Sequence, residues 1–269
     1  MKSNVMERTV ADVLGEALAA ADDGLFVVAP DAETIKRLVQ VVDEASPSVR
    51  LLAEPTALKT VMDDFLLASR AADRVDAGVL EIRNYDEGAN ALVVTDDSVM
   101  AVVNADGHVA GLTTNDEAFI ESANARFSEA WRNAEPYVLR TPPLSKVRET
   151  LEAELGARTA EDFDAVLSAL DADDGGRSDL DEVTVSLLVA AKNEDLLYDI
   201  SKWGEDVGIA SKATFSRTKT RMEEQGVIET EKVPIDVGRP RLRLKLGDER
   251  LEDVDTEAFA RVARAMLAA

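Results

Sequence analysis

The chain has 269 residues, of which 46% are apolar, enough for about two domains of ordinary size with real cores. It has no cysteine and one histidine, which excludes disulfides, thiolate catalysis and cysteine-ligated metals and argues against a Ser-His-Asp triad or a histidine-rich metal site. The 53 acidic residues against 30 basic ones give a net charge of −23, aromatics are only 4%, and Arg outnumbers Lys; this balance points to a salt-loaded cytoplasm in which dense carboxylates hold water and cations.

Met1 to Glu7 has no long apolar core behind its charge, and no run approaches eighteen apolar residues, so a soluble, cytoplasmic protein without a membrane partner is expected. Val10, Val13, Leu14, Ala17 and Leu18 form an amphipathic opening helix that stops near Asp22-Asp23-Gly24. A strand from Leu25 to Ala29, a helix opened by Pro30-Asp31 and carrying Ile35, Leu38, Val39 and Val42, and a strand from Ser48 to Ala53 make a β-α-β unit. A further helix is predicted from Pro55 to Leu67. From Val79 the apolar period becomes two, giving strands at Val79–Arg83, Ala91–Thr95, Ser98–Val103 and His108–Thr113, with Asp106-Gly107 as the clearest hairpin signal. Asp116 then caps a helix whose face of Phe119, Ile120, Ala123, Phe127 and Trp131 is expected in the core, with a small-ligand pocket as the lesser reading. Residues 1–135 therefore read as an α/β domain around a mixed sheet, suited to dimerisation or sensing.

Pro136, Pro142 and Pro143 mark the exit from that domain. Helices near Leu144–Leu155 and Thr159–Leu170, followed by the acidic loop Asp171 to Gly176, are expected as a helical connector and linker over residues 136–178. Ser178 or Asp179 would cap a helix bearing Leu180, Val183, Leu187, Leu188 and Ala191. The fold class is thus mixed α+β, an N-terminal α/β sheet domain followed by a C-terminal module.

That module, residues 179–247, carries the strongest signal. Leu196, Leu197, Ile200, Trp203 and Val207 form one apolar helical stripe ended by Gly208. After the turn Ile209-Ala210-Ser211, with Ser211 placed to cap, a second helix runs to Gln225 with Phe215 and Met222 inward. Its other side carries Lys212, Thr214, Ser216, Arg217, Thr220 and Arg221, short hydroxyls and long cations suited to phosphate oxygens and base edges. Two alternating runs, Val227–Val233 and Arg241–Leu246, joined through Gly238-Arg239-Pro240, make a hairpin. Leu242, Leu244 and Leu246 should point to the core, leaving Arg241, Arg243 and Lys245 on the open face. From Ser211 to Lys245 there are nine Lys/Arg and five Asp/Glu, a net +4 inside a chain of −23. In salt near 1 M the Debye length falls to about 3 Å, so the remaining acidic surface would barely repel a duplex.

The string GIASKATFSRTKTRMEEQGVIETE followed by GRPR resembles archaeal winged helix-turn-helix regulators, and the acidic whole resembles the haloarchaeal TbsP-type transcriptional regulators. The resemblance implies a regulator of sugar-metabolism genes, acting as a repressor. On this reading the DNA-binding residues are Ser211, Lys212, Thr214, Ser216, Arg217, Thr220, Arg221, Arg239, Arg241 and Arg243. The partner is double-stranded DNA, and neither an enzyme activity nor a cofactor is expected. A homodimer is expected because Phe259, Val262 and Met266, on a last helix over 248–269, would otherwise be exposed; a small-molecule effector is a further expectation. The N-terminal layout also resembles phospholipase-D-like sensor domains, but Ala110 stands two residues beyond His108 where that enzyme pattern needs Lys. Asp63-Asp64, Asp96-Asp97 and Asp171 to Asp174 lack EF-hand spacing and read as solvated carboxylates, and no phosphate loop or dinucleotide fingerprint occurs. The alternative is a metabolite-binding or catalytic α/β protein that uses its winged helix for assembly.

Overall fold

The computed structural model describes residues 5–7, 9–87, 91–105, 108–172, 180–236, 239–252 and 254–267. Two compact units divide the chain, Met1–Leu139 and Arg140–Ala269.

The first unit is built on a seven-stranded mixed sheet. In chain order its elements are β1 (Val5–Glu7), α1 (Val10–Ala20), β2 (Gly24–Val28), α2 (Ala32–Val41), β3 (Ser48–Ala53), α3 (Pro55–Met62), α4 (Phe65–Asp76), β4 (Leu80–Asn84), β5 (Leu92–Val94), β6 (Val99–Ala105), β7 (His108–Thr114) and α5 (Glu117–Asn133). Strand order is β1-β7-β6-β5-β2-β3-β4. Strands β2, β3 and β4 run parallel, and the other pairings are antiparallel. Strand β2 shows why the fold class follows from the sequence. Its apolar run GLFVV is buried on both faces: Leu25 and Val27 join a core covered by α1 to α4, while Phe26 and Val28 join a second core under α5. The turn at Asp106-Gly107 lies outside the described residues, although the strands flanking it pair in the expected register.

Three sequence expectations change here. The helix expected from Pro55 to Leu67 is two helices, because Asp64 caps a new one by accepting from the Leu67 amide at 3.0 Å. The second of these, α4, buries Leu67, Ala68, Ala71 and Ala72 and was not anticipated beyond its first turn. Phe119, expected in the core, is 55% exposed, whereas Ile120, Phe127 and Trp131 are buried as expected. Trp131 packs edge-on to Phe26 at 6.0 Å, and the Arg83 guanidinium lies 4.6 Å over its ring. Arg83 also donates to the Trp131 and Ala134 carbonyls, satisfying two acceptors that the end of α5 leaves open.

The second unit holds α6 (Leu144–Leu155), α7 (Ala157–Ala172), α8 (Glu182–Lys192), α9 (Leu197–Val207), α10 (Lys212–Glu224), β8 (Ile228–Val233), β9 (Arg241–Leu246) and α11 (Thr256–Leu267). Helix α8 is the axis of the unit, with every residue from Val183 to Ala191 buried. Its cap is Asp181, which accepts from the Thr184 amide at 2.7 Å; the expected caps Ser178 and Asp179, and the loop residues from Asp173 to Gly176, lie outside the described residues. Helices α6 and α7, expected as a connector, belong to this core: Trp203 of α9 packs edge-on to Phe163 of α7 at 6.3 Å and donates from Nε1 to Thr150 Oγ1 of α6 at 3.0 Å.

Helix α11 requires a further correction. Phe259 and Ala263 are fully buried within the chain's own second unit, where α11 packs on α7 and the Lys192 ammonium lies 5.5 Å from the Phe259 ring. The apolar stripe expected to be left over for a partner chain is therefore covered, apart from the half-buried Val262 and Met266.

Candidate nucleic-acid interface

Gly208 takes φ +94° and ends α9 in the left-handed conformation that a side chain would resist. The following amides of Ile209 and Ala210 donate back to the Gly204 carbonyl at 2.8 and 3.3 Å, which turns the chain sharply. Ser211 then starts α10, its Oγ accepting from the Thr214 amide at 3.3 Å. Crossing of the two helices is tight: a Cβ on Gly204 would stand 2.4 Å from the Phe215 ring. Phe215, Thr218 and Met222 are buried, so the helical period forces Ser216, Arg217, Thr220 and Arg221 outward, and all four are exposed.

The hydrogen bonds of the outward face fix some side chains and leave others to reach. Lys212 forms an ion pair with Glu205 of α9, Nζ to Oε2 at 3.0 Å, while its amide donates to the other carboxylate oxygen at 3.2 Å. The side-chain hydrogen bond between the ammonium and the carboxylate lowers the Glu205 pKa and raises the Lys212 pKa from their ordinary values. The Thr220 hydroxyl donates to the Ser216 carbonyl at 3.0 Å, so it is partly committed to its own helix. Arg217 donates to Thr214 Oγ1 at 3.3 Å, and Arg221 donates to Thr184 Oγ1 of α8 at 3.3 Å.

Strands β8 and β9 pair antiparallel from Ile228↔Leu246 to Val233↔Arg241. A bridge from Leu196 to Arg243, with the Leu244 amide donating to the Asp195 carbonyl at 2.9 Å, ties the hairpin to the start of α9. The expected alternation is present in graded form: Leu244 is fully buried, and Leu242 and Leu246 are half-buried. The open face is less free than the pattern implies. Arg241 stacks 4.5 Å over the Tyr198 ring and lies 3.4 Å from Asp199, and Lys245 pairs with Glu231 at 2.9 Å. Arg239 is exposed beside the turn, whose Val237 and Gly238 lie outside the described residues.

A cleft of about 380 Å³ separates the start of α10 from the wing, and Tyr198, Lys212, Ser216, Arg239 and Arg241 line it. Four expected site residues thus converge there, while Arg217, Thr220 and Arg221 continue along α10, and Arg243 lies further down β9. Tyr198 was missed by the sequence reading. It sits one position off the apolar stripe and is 47% exposed, an unusual place for an aromatic in a chain with so few of them.

The arrangement is that of a winged helix-turn-helix, with an exposed helix rich in hydroxyls and cations beside a basic hairpin. No helix among the described residues is long and apolar enough to cross a membrane. No curated protein matches the chain. Among solved structures, that of TrmBL2, described as an archaeal chromatin protein with a novel mode of DNA binding, is 18% identical with a TM-score of 0.37. The match covers 51% of this chain and 54% of that one, and at this level it carries no argument about function. Family models do. The model of the TbsP-like transcriptional regulator N-terminal region matches residues 2–142, and that of the TbsP-like C-terminal HTH domain matches residues 143–264. Between them they span both units, and the chain belongs to the TbsP-like transcriptional regulators, a family of DNA-binding helix-turn-helix proteins.

Proposed function

We propose that the protein is a sequence-specific regulator that reads the major groove with α10 and grips the neighbouring backbone or minor groove with its wing. One observation carries this reading: Ser216, Arg217, Thr220 and Arg221 share the exposed side of a helix whose opposite side is locked into the core by Phe215 and Met222. Ser211, Lys212 and Thr214 supply phosphate contacts at the start of that helix, where the amide dipoles favour anions. Arg239, Arg241 and Arg243 supply the wing contacts.

The protein acts as a cytoplasmic homodimer on an inverted repeat, with half-site centres about 10 base pairs or a multiple apart. Support for dimerisation comes from the first unit rather than from α11: Val103, Leu112 and Phe119 are large apolar side chains left exposed there. The family resemblance supports repression of sugar-metabolism genes, with an effector adjusting operator affinity. Footprinting at 2 M KCl upstream of its own and neighbouring genes is the test, with light scattering of the free protein alongside. A protected inverted repeat and a dimeric mass are expected. Uniform affinity for random DNA would defeat sequence-specific reading, and a monomer that binds one to one would defeat the dimer.

A further inference from the structure

The cleft between the start of α10 and the wing has a composition that runs against the rest of the chain. Lys212, Arg239 and Arg241 line it, together with Ser216 and Tyr198. Among the described residues that line it none is Asp or Glu, although 53 of the chain's 269 residues are acidic. Cations and hydroxyls without a carboxylate suit an oxyanion, and on a DNA-binding face that oxyanion is a backbone phosphate.

Arg241 is the cation of this cleft that most needs to be held. It pairs with Val233 in the last rung of the hairpin, next to the turn, whereas the hairpin is tied to α9 further along, at Arg243 and Leu244. A long side chain in that position has many rotamers, and ordering it on binding costs entropy. Two neighbours on α9 hold it: the Tyr198 ring lies 4.5 Å from the guanidinium carbon, and Asp199 Oδ1 accepts from Nη1 at 3.4 Å. They differ in what they leave free. A ring takes one face of the guanidinium and none of its five N–H donors, while a carboxylate takes a donor and puts negative charge beside the place of a phosphate.

Core packing does not account for Tyr198. The buried side of α9 is made by Ile200, Trp203 and Val207, and Tyr198 is nearly half exposed. We propose that Tyr198 is a positioning residue for DNA binding: its ring carries the Arg241 guanidinium at the cleft, so that a backbone phosphate can replace Asp199 without Arg241 having to be ordered anew. Asp199 acts in the opposite sense, as an internal competitor of the phosphate. This deepens the DNA reading above and rests on it.

The experiment is fluorescence anisotropy with the full chain and a labelled random-sequence duplex of about 30 base pairs, between roughly 0.5 and 2 M KCl. Random sequence serves because a phosphate contact carries no base information. Each phosphate contact contributes about 0.9 to the slope of log affinity against log salt. Arg241→Ala should therefore weaken binding about tenfold at the lowest salt and flatten that slope by about 0.9. Tyr198→Leu, which keeps apolar bulk and loses the ring face, should give at least half of each effect with an unchanged melting temperature, and Tyr198→Phe should restore most of the loss. Tyr198→Leu added to Arg241→Ala should cost nothing further, because the ring acts through Arg241. Asp199→Asn should tighten binding at least threefold. Tyr198→Ala, with a good helix former at an exposed helical position, is judged by the same criteria should Tyr198→Leu fold poorly.

A loss in Tyr198→Leu that adds in full to that of Arg241→Ala, or a loss of affinity with the salt slope unchanged, would overturn the positioning role. Unchanged or weaker binding by Asp199→Asn would overturn it too, since the carboxylate would then be no competitor. A parent that binds no duplex would defeat the DNA reading itself, and this proposal with it. A parent that binds, with Tyr198→Leu indistinguishable from it, would defeat this proposal alone.

Discussion

Replacing Gly204 by Ala tests how closely the two helices of the DNA-binding motif are fitted. Gly204 is buried in α9 at its crossing with α10, where an added Cβ would come within 2.4 Å of both Cε2 and Cζ of Phe215. Carbon atoms prefer separations of about 3.5–4.0 Å, so the ring or the helix carrying it must retreat by roughly 1 Å. Phe215 is fully buried and has no open side to move into. Overpacking of this kind costs about 1–3 kcal/mol, and the helix propensity gained on exchanging Gly for Ala returns about 1 kcal/mol. A contact this short belongs at the upper end, leaving a net loss of about 2 kcal/mol. That corresponds to a fall in melting temperature of roughly 4–8 °C. Operator affinity should fall by at least about tenfold, because α10 moves relative to the wing and its base contacts are geometrically demanding. Circular dichroism melts and fluorescence anisotropy at 2 M KCl measure the two effects. Adding Phe215→Leu to Gly204→Ala should recover part of both, a non-additivity expected of residues in contact. If Gly204→Ala melts at or above the parent temperature with unchanged affinity, the two helices have room to spare and the fitted crossing is wrong.

Four further outcomes are expected. Arg217→Ala should cost about 1–3 kcal/mol of operator binding and relax base preference without affecting folding; equal loss on specific and random DNA would demote Arg217 to a phosphate contact. Arg239→Ala combined with Arg241→Ala should weaken binding to all sequences and flatten its salt dependence, and an unchanged affinity would take the wing off the DNA. Asp195, half-buried where the wing meets α9, has its pKa raised by burial, against the hydrogen bond it accepts from Thr159. The folded state therefore holds this proton more readily than the unfolded state, so its contribution to stability falls as pH rises from about 4 through the raised value. Asp195→Asn, which keeps an acceptor for Thr159, should equal or exceed the parent in stability at pH 7, with the difference closing as pH drops towards 4; a gap that widens on acidification would refute the burial argument. Leu112→Glu with Val103→Glu, at exposed positions of the first unit, should convert a dimer to a monomer by light scattering while leaving the fold intact, and a persistent dimer would move the interface elsewhere.

Much of this architecture was legible because the informative residues are local. The β2-α2-β3 unit declares itself through a doubly buried strand and the Asp31 cap, and α10 through Ser211, Phe215 and Met222 at fixed spacing. What escaped depends on partners distant in sequence or on signals that periodicity cannot carry. Val5–Glu7 is a strand because β7 pairs with it, and three residues hold no pattern of their own. The apolar period runs on across Asp63-Asp64, so only the cap at Asp64 reveals that one helix has become two. Helix α11 has the stripe expected of it, but periodicity shows that a face is apolar and not what covers it; the cover is α7, about ninety residues earlier.

The same limit applies to the candidate site, where residue type was readable and pairing was not. Of the nine cations between Ser211 and Lys245, Lys212, Lys219, Arg241 and Lys245 are held by Glu205, Glu223, Asp199 and Glu231. Three of the four lysines are paired, against one of the five arginines. Arg217, Arg221, Arg239 and Arg243 stand outside ion pairs among the described residues. The division has a physical sense for a protein of net charge −23. In concentrated salt a point charge such as an ammonium gains little from a phosphate, since counterion release weakens as the bulk ion concentration rises. A guanidinium keeps its planar fork of donors and can make two aligned hydrogen bonds to a base edge or phosphate whatever the screening. On the proposed reading, the paired lysines would chiefly hold the geometry of α10 and the wing, and the arginines outside ion pairs would carry most of the contacts to base edges. Exposed pairs of this kind are screened by solvent and contribute little to stability, so Arg241 can exchange Asp199 for a phosphate at small cost, while the Tyr198 ring still holds its side chain in place.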